Sequence, residues 1–144
     1  MTYRMATKND IPAVSNFLAA LYEMPYEEVL EENEEFFDDD TQGFFLALDG
    51  ETPVGAAHGS IRSEYVNGTN GGKVGYLEAI IVSEEYRRKG VATGLVQTVE
   101  KWAAANGCGE MASDCLLDNV DSYNFHTGIG FAETERCIFF KKEL

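Results

Sequence analysis

The chain places one carboxylate, Glu78, inside the otherwise apolar run Val74-Gly75-Tyr76-Leu77-Glu78-Ala79-Ile80-Ile81-Val82. An ionised carboxylate among buried aliphatic side chains is costly unless something cationic pairs with it. The partner is either an arginine of the chain or a cationic ligand, and the sequence leaves both open. Asp114 stands in a comparable place, at the end of Glu110-Met111-Ala112-Ser113-Asp114 and just before a loop. Between the two carboxylates lies a run of three basic residues, Arg87-Arg88-Lys89, followed by Gly90-Val91-Ala92-Thr93-Gly94. A strand runs into this turn and a helix leaves it. The first amides of a helix lack intrahelical partners, and the helix dipole adds positive potential, so the turn is an anion site in principle. Small residues at Gly90, Ala92 and Gly94 would let a ligand approach the backbone. The spacing is neither that of a Walker P-loop nor G-x-G-x-x-G. Taken alone, the turn is equally a solvated basic turn before an ordinary helix.

The elements that must position these groups are legible from periodicity. Tyr3 to Met5 reads as a short strand. Asn9 or Asp10 caps a helix with Pro12 in its first turn, and Ile11, Val14, Phe17, Leu18 and Leu21 recur at helical spacing. Beyond Pro25, a glutamate-rich second helix carries Val29, Leu30, Phe36 and Phe37. Residues 43–65 read as two strands around a turn at Asp49-Gly50. A loop rich in glycine and asparagine then leads into the strand that holds Glu78. Val91, Leu95, Val99 and Trp102 mark a third helix ending near Asn106-Gly107. A strand from Glu110, a helix from Asn119 to Thr127 and two strands between Phe131 and Leu144 complete the order β-α-α-β-β-β-α-β-α-β-β. The prediction is a mixed α/β fold: a central, mostly antiparallel twisted sheet of about seven strands flanked by four helices.

A length of 144 residues, of which 44% are hydrophobic, suits one domain spanning 1–144. No run is long and apolar enough to cross a bilayer, and the N-terminus lacks the apolar region of a signal peptide. The three cysteines, Cys108, Cys115 and Cys137, show no C-x-x-C spacing, and His58 and His126 lie far apart. No metal site and a reducing cytoplasm are therefore expected. With 25 acidic against 11 basic residues and a net charge of −14, nucleic acid is disfavoured as a partner. So acidic a chain suits a cationic ligand, or owes its charge simply to solubility.

The pattern Arg87-x-x-Gly90-x-Ala92 follows Val82-Ser83-Glu84-Glu85-Tyr86 and precedes Asn119-x-x-Ser122-x-x-x-His126-x-x-x-Gly130-Phe131. In this order the motifs resemble the pyrophosphate signature and downstream helix of the GCN5-related N-acetyltransferases. Within that superfamily, "SIRSEYVNG", "YLEAIIV", "GCGEMASD" and "GFAETERCIFF" are similar to the aminoglycoside 6′-N-acetyltransferases, bacterial resistance enzymes. The likeness runs from about Ser60 to the end and is looser in the first forty residues.

The resemblance implies transfer of an acetyl group from acetyl-CoA to an amine by direct attack in a ternary complex, with no metal. It implies that the backbone of Ile80, Ile81 and Val82 pairs with the pantetheine arm. Amides from Arg88 through Gly90, Val91, Ala92 and Thr93 would surround the pyrophosphate, with Arg87, Arg88 and Lys89 supplying charge. Asn119 would meet the cofactor near its thioester arm, or else act as a helix N-cap. Glu78 and Asp114 are the expected amine-binding and base residues, and Tyr22, Tyr65 and Glu135 the further substrate contacts. Many relatives place a tyrosine acid where this chain has His126, which also falls beside the cofactor. The acid therefore stays open between His126, Tyr123 and unaided departure of the thiolate. Relatives present Trp and His after the first helix, where this chain reads Leu21-Tyr22-Glu23-Met24-Pro25. A homodimer is expected, with "RCIFF" as an interface element. Two alternatives remain at this point: another small amine as acceptor, such as a polyamine or peptide amine, or a CoA-binding module without turnover. Two carboxylates beside a thioester count against the second.

Overall fold

In the computed structural model, which describes residues 1–144, five strands form one sheet in the order β1-β2-β3-β4-β5. The elements are β1 (Thr2–Met5), α1 (Ile11–Tyr22), α2 (Tyr26–Phe37), β2 (Gln42–Asp49), β3 (Thr52–Arg62), β4 (Val74–Val82), α3 (Val91–Ala105), β5 (Glu110–Ser113) and α4 (Val120–Gly128). The first four strands pair antiparallel, and β5 joins β4 in parallel. A parallel neighbour requires a crossover, and α3 supplies it.

Alternation along β2 sorts the core into two layers. Phe44, Leu46 and Leu48 meet Ile11, Val14 and Leu18 of α1 and Val29 of α2. Phe45 and Ala47 face the other way, onto Val91, Leu95, Val96 and Val99 of α3. Hence β2 and β3 are apolar almost throughout, because both faces are covered. Polar anchors set the first helices. The Asp10 carboxylate receives the Thr7 amide at 2.7 Å and the Arg4 guanidinium at 2.6 Å, just ahead of α1. Asn33 of α2 donates to Ser15 of α1 at 3.0 Å in a buried setting. A polar pair inside an apolar layer fixes how two helices meet, because an unmatched partner would be costly.

Two expectations need correction. The strands predicted between Phe131 and Leu144 do not form, so the sheet has five strands rather than about seven. A strand exists only where its backbone groups find a ladder, and this segment pairs with no strand of its own chain. Thr134 packs on Gly68, while Ile138, Phe139 and Phe140 stand 77%, 92% and 90% exposed. The second correction concerns Gly94. Its lack of a side chain makes room for the ring of Tyr3, which packs where a β-carbon would sit, and not for a ligand.

Gly94→Ala should therefore overpack the β1–α3 contact and cost about 1–3 kcal/mol in urea unfolding. Trimming the ring with Tyr3→Leu in the same chain should recover part of that loss. Strictly additive losses would show that Gly94 is small for another reason.

Candidate functional site

The site begins with an irregularity in β4. His58 of β3 lies opposite Ala79, but the next residue, Gly59, lies opposite Leu77. Glu78 is thus the extra residue of a β-bulge, facing no partner across the ladder. Bulges re-aim side chains. Here the bulge turns both Glu78 and Ala79 toward the α1–α2 side. Ala79 packs in that core layer, and the Glu78 carboxylate accepts from Ser60 Oγ at 2.5 Å.

An arginine of the chain takes up the charge. Arg62, at the end of β3, donates from Nη2 to Oε1 at 2.8 Å and to Oε2 at 3.0 Å, and from Nε to Oε1 at 3.2 Å. Its guanidinium carbon lies 3.5 Å from the centre of the Tyr76 ring. The Tyr76 hydroxyl donates to Asp114 Oδ2, so the two predicted carboxylates belong to one connected cluster. Burial pushes the Tyr76 phenol well above the usual tyrosine range, and the Asp114 carboxylate adds to the shift. Tyr22, at the end of α1, is also raised, first by burial and then by the charges of Glu78 and Glu32. The acidic face of α2 therefore acts on the same place. His58 completes the floor, stacked on Phe44 with ring centres 4.6 Å apart and bonded through Nε2 to Gln42 at 2.6 Å. Burial drives its pKa down to about 4, against a smaller upward pull from Glu78.

Beside the cluster the sheet forks. The β4–β5 ladder ends at Leu77 and Ser113, so β4 from Ala79 to Val82 pairs with β3 on one edge and with no strand on the other. A free strand edge can bond an amide-bearing ligand as a further strand would. Ser113 Oγ reaches the Leu77 carbonyl at 3.2 Å. His126 of α4 ties in at the same point, with Nε2 2.8 Å from Ser113 Oγ and Nδ1 2.7 Å from the Ser122 carbonyl. A carbonyl only accepts, so the proton on Nδ1 is fixed there. The Tyr123 hydroxyl instead donates to Glu133 at 3.1 Å. Of the two candidate acids, His126 is the one bonded at the fork. The Asn119 side chain accepts from the Ser122 amide at 3.1 Å, an N-cap on α4.

At the far end of β4 the basic turn lifts the chain into α3. Arg87 uses its Nε on the Val82 carbonyl at 3.0 Å, pinning the turn to the strand. Arg88 and Gly90 both take left-handed backbone angles, with φ of 61° and 80°. Such turns gather successive amides into an anion-binding concavity, and Val91, Ala92 and Thr93 follow as the unpaired first turn of α3. A cleft of about 520 Å³ runs between this helix and α4, lined by Thr93, Val96, Gln97, Gly128 and Gly130 among others. A second cleft, of about 380 Å³ beside Met5, Phe37 and Trp102, is lined by none of the predicted site residues. A free edge running into an amide concavity fits a long ligand with an amide arm and a phosphate group.

Not every predicted residue joins the cluster. Tyr65 is largely exposed in the loop after β3, and Glu135 is exposed in the C-terminal segment. Sequence reasoning missed Ser60, Arg62, Tyr76 and Ser113. One signal was available: Ser60 and Arg62 are two apart on a strand and so share a face.

The family described as Acetyltransferase (GNAT) matches residues 11–131. The chain is 51% identical over 96 residues to the aminoglycoside N(6')-acetyltransferase type 1 of Acinetobacter baumannii, an overlap of 67% of this chain and 66% of that relative. Over that overlap it spans just under two thirds of the relative. With the enzyme of the same description from Stenotrophomonas maltophilia it is 37% identical, covering 99% of this chain and 94% of the relative. The crystal structure of aminoglycoside antibiotic 6'-N-acetyltransferase AAC(6')-IG from Acinetobacter haemolyticus superposes with a TM-score of 0.93 at 35% identity, covering 100% of this chain and 99% of that one. The structure of AAC(6')-Iy in complex with the bisubstrate analog CoA-S-monomethyl-acetylneamine also gives 0.93 at 35% identity, with 99% and 98% covered.

His58 should stay neutral in the folded protein until the pH falls to about 4. The unfolded chain takes up that proton near pH 6.5, so the contribution of neutral His58 is complete above 6.5 and is lost as the pH falls through 4. An NMR titration of the ring checks this, and a midpoint near 6.5 would contradict the burial.

Proposed function

The chain belongs to the acetyltransferase (GNAT) family, and on that premise we propose that it transfers an acetyl group from acetyl-CoA to the 6′-amine of an aminoglycoside. The observation that carries the proposal is the joining of Glu78 and Asp114 at the fork of β4 and β5. Acetyl-CoA, when bound, supplies the activated acetyl group. The open edge at Ile80, Ile81 and Val82 would hold its amide arm, and amides from Arg88 to Thr93 its phosphates, with Arg88 and Lys89 adding charge. Arg87 is partly committed to the Val82 carbonyl and acts more by shaping the turn. Asn119 and His126 would flank the arm from α4.

The acceptor is read from charge. An aminoglycoside is a polycation, and Asp114 and the acidic face of α2 would offer complementary charge to steer it in, while Glu78, paired with Arg62, would meet an amine at short range. Glu78 or Asp114 would take the ammonium proton, directly or through water, and positioning supplies much of the remaining rate. Tyr22 borders this region and can stack on a sugar ring. Tyr65 and Glu135 would take part from the loop and the tail. His126, with Nδ1–H held on a carbonyl, has Nε2 available to hold a proton at the fork. Such an activity would give resistance in the cytoplasm, where the three free cysteines would stay reduced.

We also propose a homodimer. What supports it is the exposure of Ile138, Phe139 and Phe140, together with the outer edge of β5, which pairs with no strand of its own chain. Exposed apolar side chains and an unpaired strand edge are each usual marks of an interface.

With acetyl-CoA and a panel of amines, release of free thiol should follow addition of kanamycin or tobramycin and not of spermidine. Turnover confined to other amines would sink the aminoglycoside assignment. Glu78→Gln should keep CoA binding and lose about 100-fold or more in kcat, whereas unchanged turnover would remove Glu78 from the mechanism. By light scattering, the native chain should be a dimer and the double substitution Phe139→Ser, Phe140→Ser a monomer. A native monomer at micromolar concentration would refute the dimer.

A further inference from the structure

Glu78 lies on β4 and Asp114 just after β5, far apart in sequence, yet two side chains, Arg62 and Tyr76, link them. Arg62 binds both oxygens of Glu78 and covers the ring of Tyr76, whose hydroxyl holds Asp114. Ser60 closes the other end of the chain on Glu78 Oε1. The contacts are unequal. Oε1 receives Ser60 and two nitrogens of Arg62, while Oε2 receives only Nη2, at 3.0 Å. A carboxylate oxygen has two lone-pair sites, so Oε1 is filled and Oε2 keeps one free.

We propose that Arg62 is a positioning residue for the transfer, fixing Glu78 and Asp114 as one unit and leaving Glu78 Oε2 as the oxygen that meets the acceptor ammonium. The inference rests on the acetyl-transfer reading above. The geometry favours a fixed part over a casual surface pair. A lone exposed ion pair is worth little because it orders two flexible side chains for one contact. Arg62 is held on two fronts, by two N–H groups on a carboxylate and by an aromatic face. A planar guanidinium satisfies both at once and a lysine ammonium cannot. The Arg62 side chain is 42% exposed and that of Glu78 25%, so the carboxylate is the more enclosed of the two and still reaches the surface.

The test uses the full-length chain and two readouts. The first needs no substrate: the carboxyl carbon signal of Asp114 is followed by NMR in the native protein, in Arg62→Ala, in Tyr76→Phe and in the double variant. If the cluster is one unit, Arg62→Ala moves the Asp114 signal, and the same substitution made on Tyr76→Phe does not. The second is acetyl transfer. Arg62→Ala should lower kcat about 10- to 100-fold, the range expected for a misplaced reacting group, with CoA binding unchanged and Arg62→Lys only partly restoring the rate. Arg62→Gln serves for both readouts if the alanine variant does not fold. An Asp114 signal indifferent to Arg62, or a kcat within about twofold of native, overturns the proposal. If the native protein acetylates no aminoglycoside, the proposed function fails, and the Asp114 signal alone then decides whether Arg62 links the two carboxylates.

Discussion

A carboxylate cannot sit in a strand covered on both faces unless it is turned out of the core and given a partner, and the region around the site follows from how β4 meets that demand. One extra residue between Leu77 and Ala79 breaks the alternation. Glu78 thereby reaches Ser60 and Arg62 without displacing Leu77 from the α3 layer or Ala79 from the α1–α2 layer. Without the bulge, Glu78 or the residues after it would change faces, and either the charge or the aliphatic side chains would be misplaced.

The fork next to the bulge follows a related logic. β5 is short and leaves β4 after Leu77 and Ser113, which exposes a length of β4 edge while α3 and α4 keep the layer beneath it closed. Exposed backbone is normally a liability that proteins cover or blunt. Here it is bounded, with Arg87 closing its far end on Val82 and His126 with Ser113 closing the near end. A slot with fixed ends suits a long ligand of defined length. The acidic cluster on one side and the amide-rich turn at the far end give that slot two opposite electrostatic poles.

Much of this was legible from local rules. Helices α1, α2 and α3 follow apolar spacing, and the capping role of Asn119 follows from its residue type and position. The oddity of Glu78 was visible because a carboxylate violates an apolar run. Arg62 and Tyr76 were not, because each has an ordinary explanation where it stands, at a strand end and in a core strand. Gly94 was read as room for a ligand, yet it serves Tyr3 at the opposite end of the chain. The tail shows the converse failure. Its residue types favour strand, but it pairs with no strand of its own chain.

By itself, the sequence determined the order of elements from β1 to α4, the basic turn ahead of α3 and the strand that carries Glu78. Each of these depends on neighbours within a few residues, through periodicity, capping and the charge of a single run. Tertiary structure alone decided that Glu78 is bulged, that Arg62 and Tyr76 join it to Asp114, that His126 rather than Tyr123 is bonded at the fork, and that β4 and β5 part after four paired residues. Those features come from strand register and from contacts between residues as far as 38 positions apart. A single shift of pairing would undo them while leaving every local pattern intact.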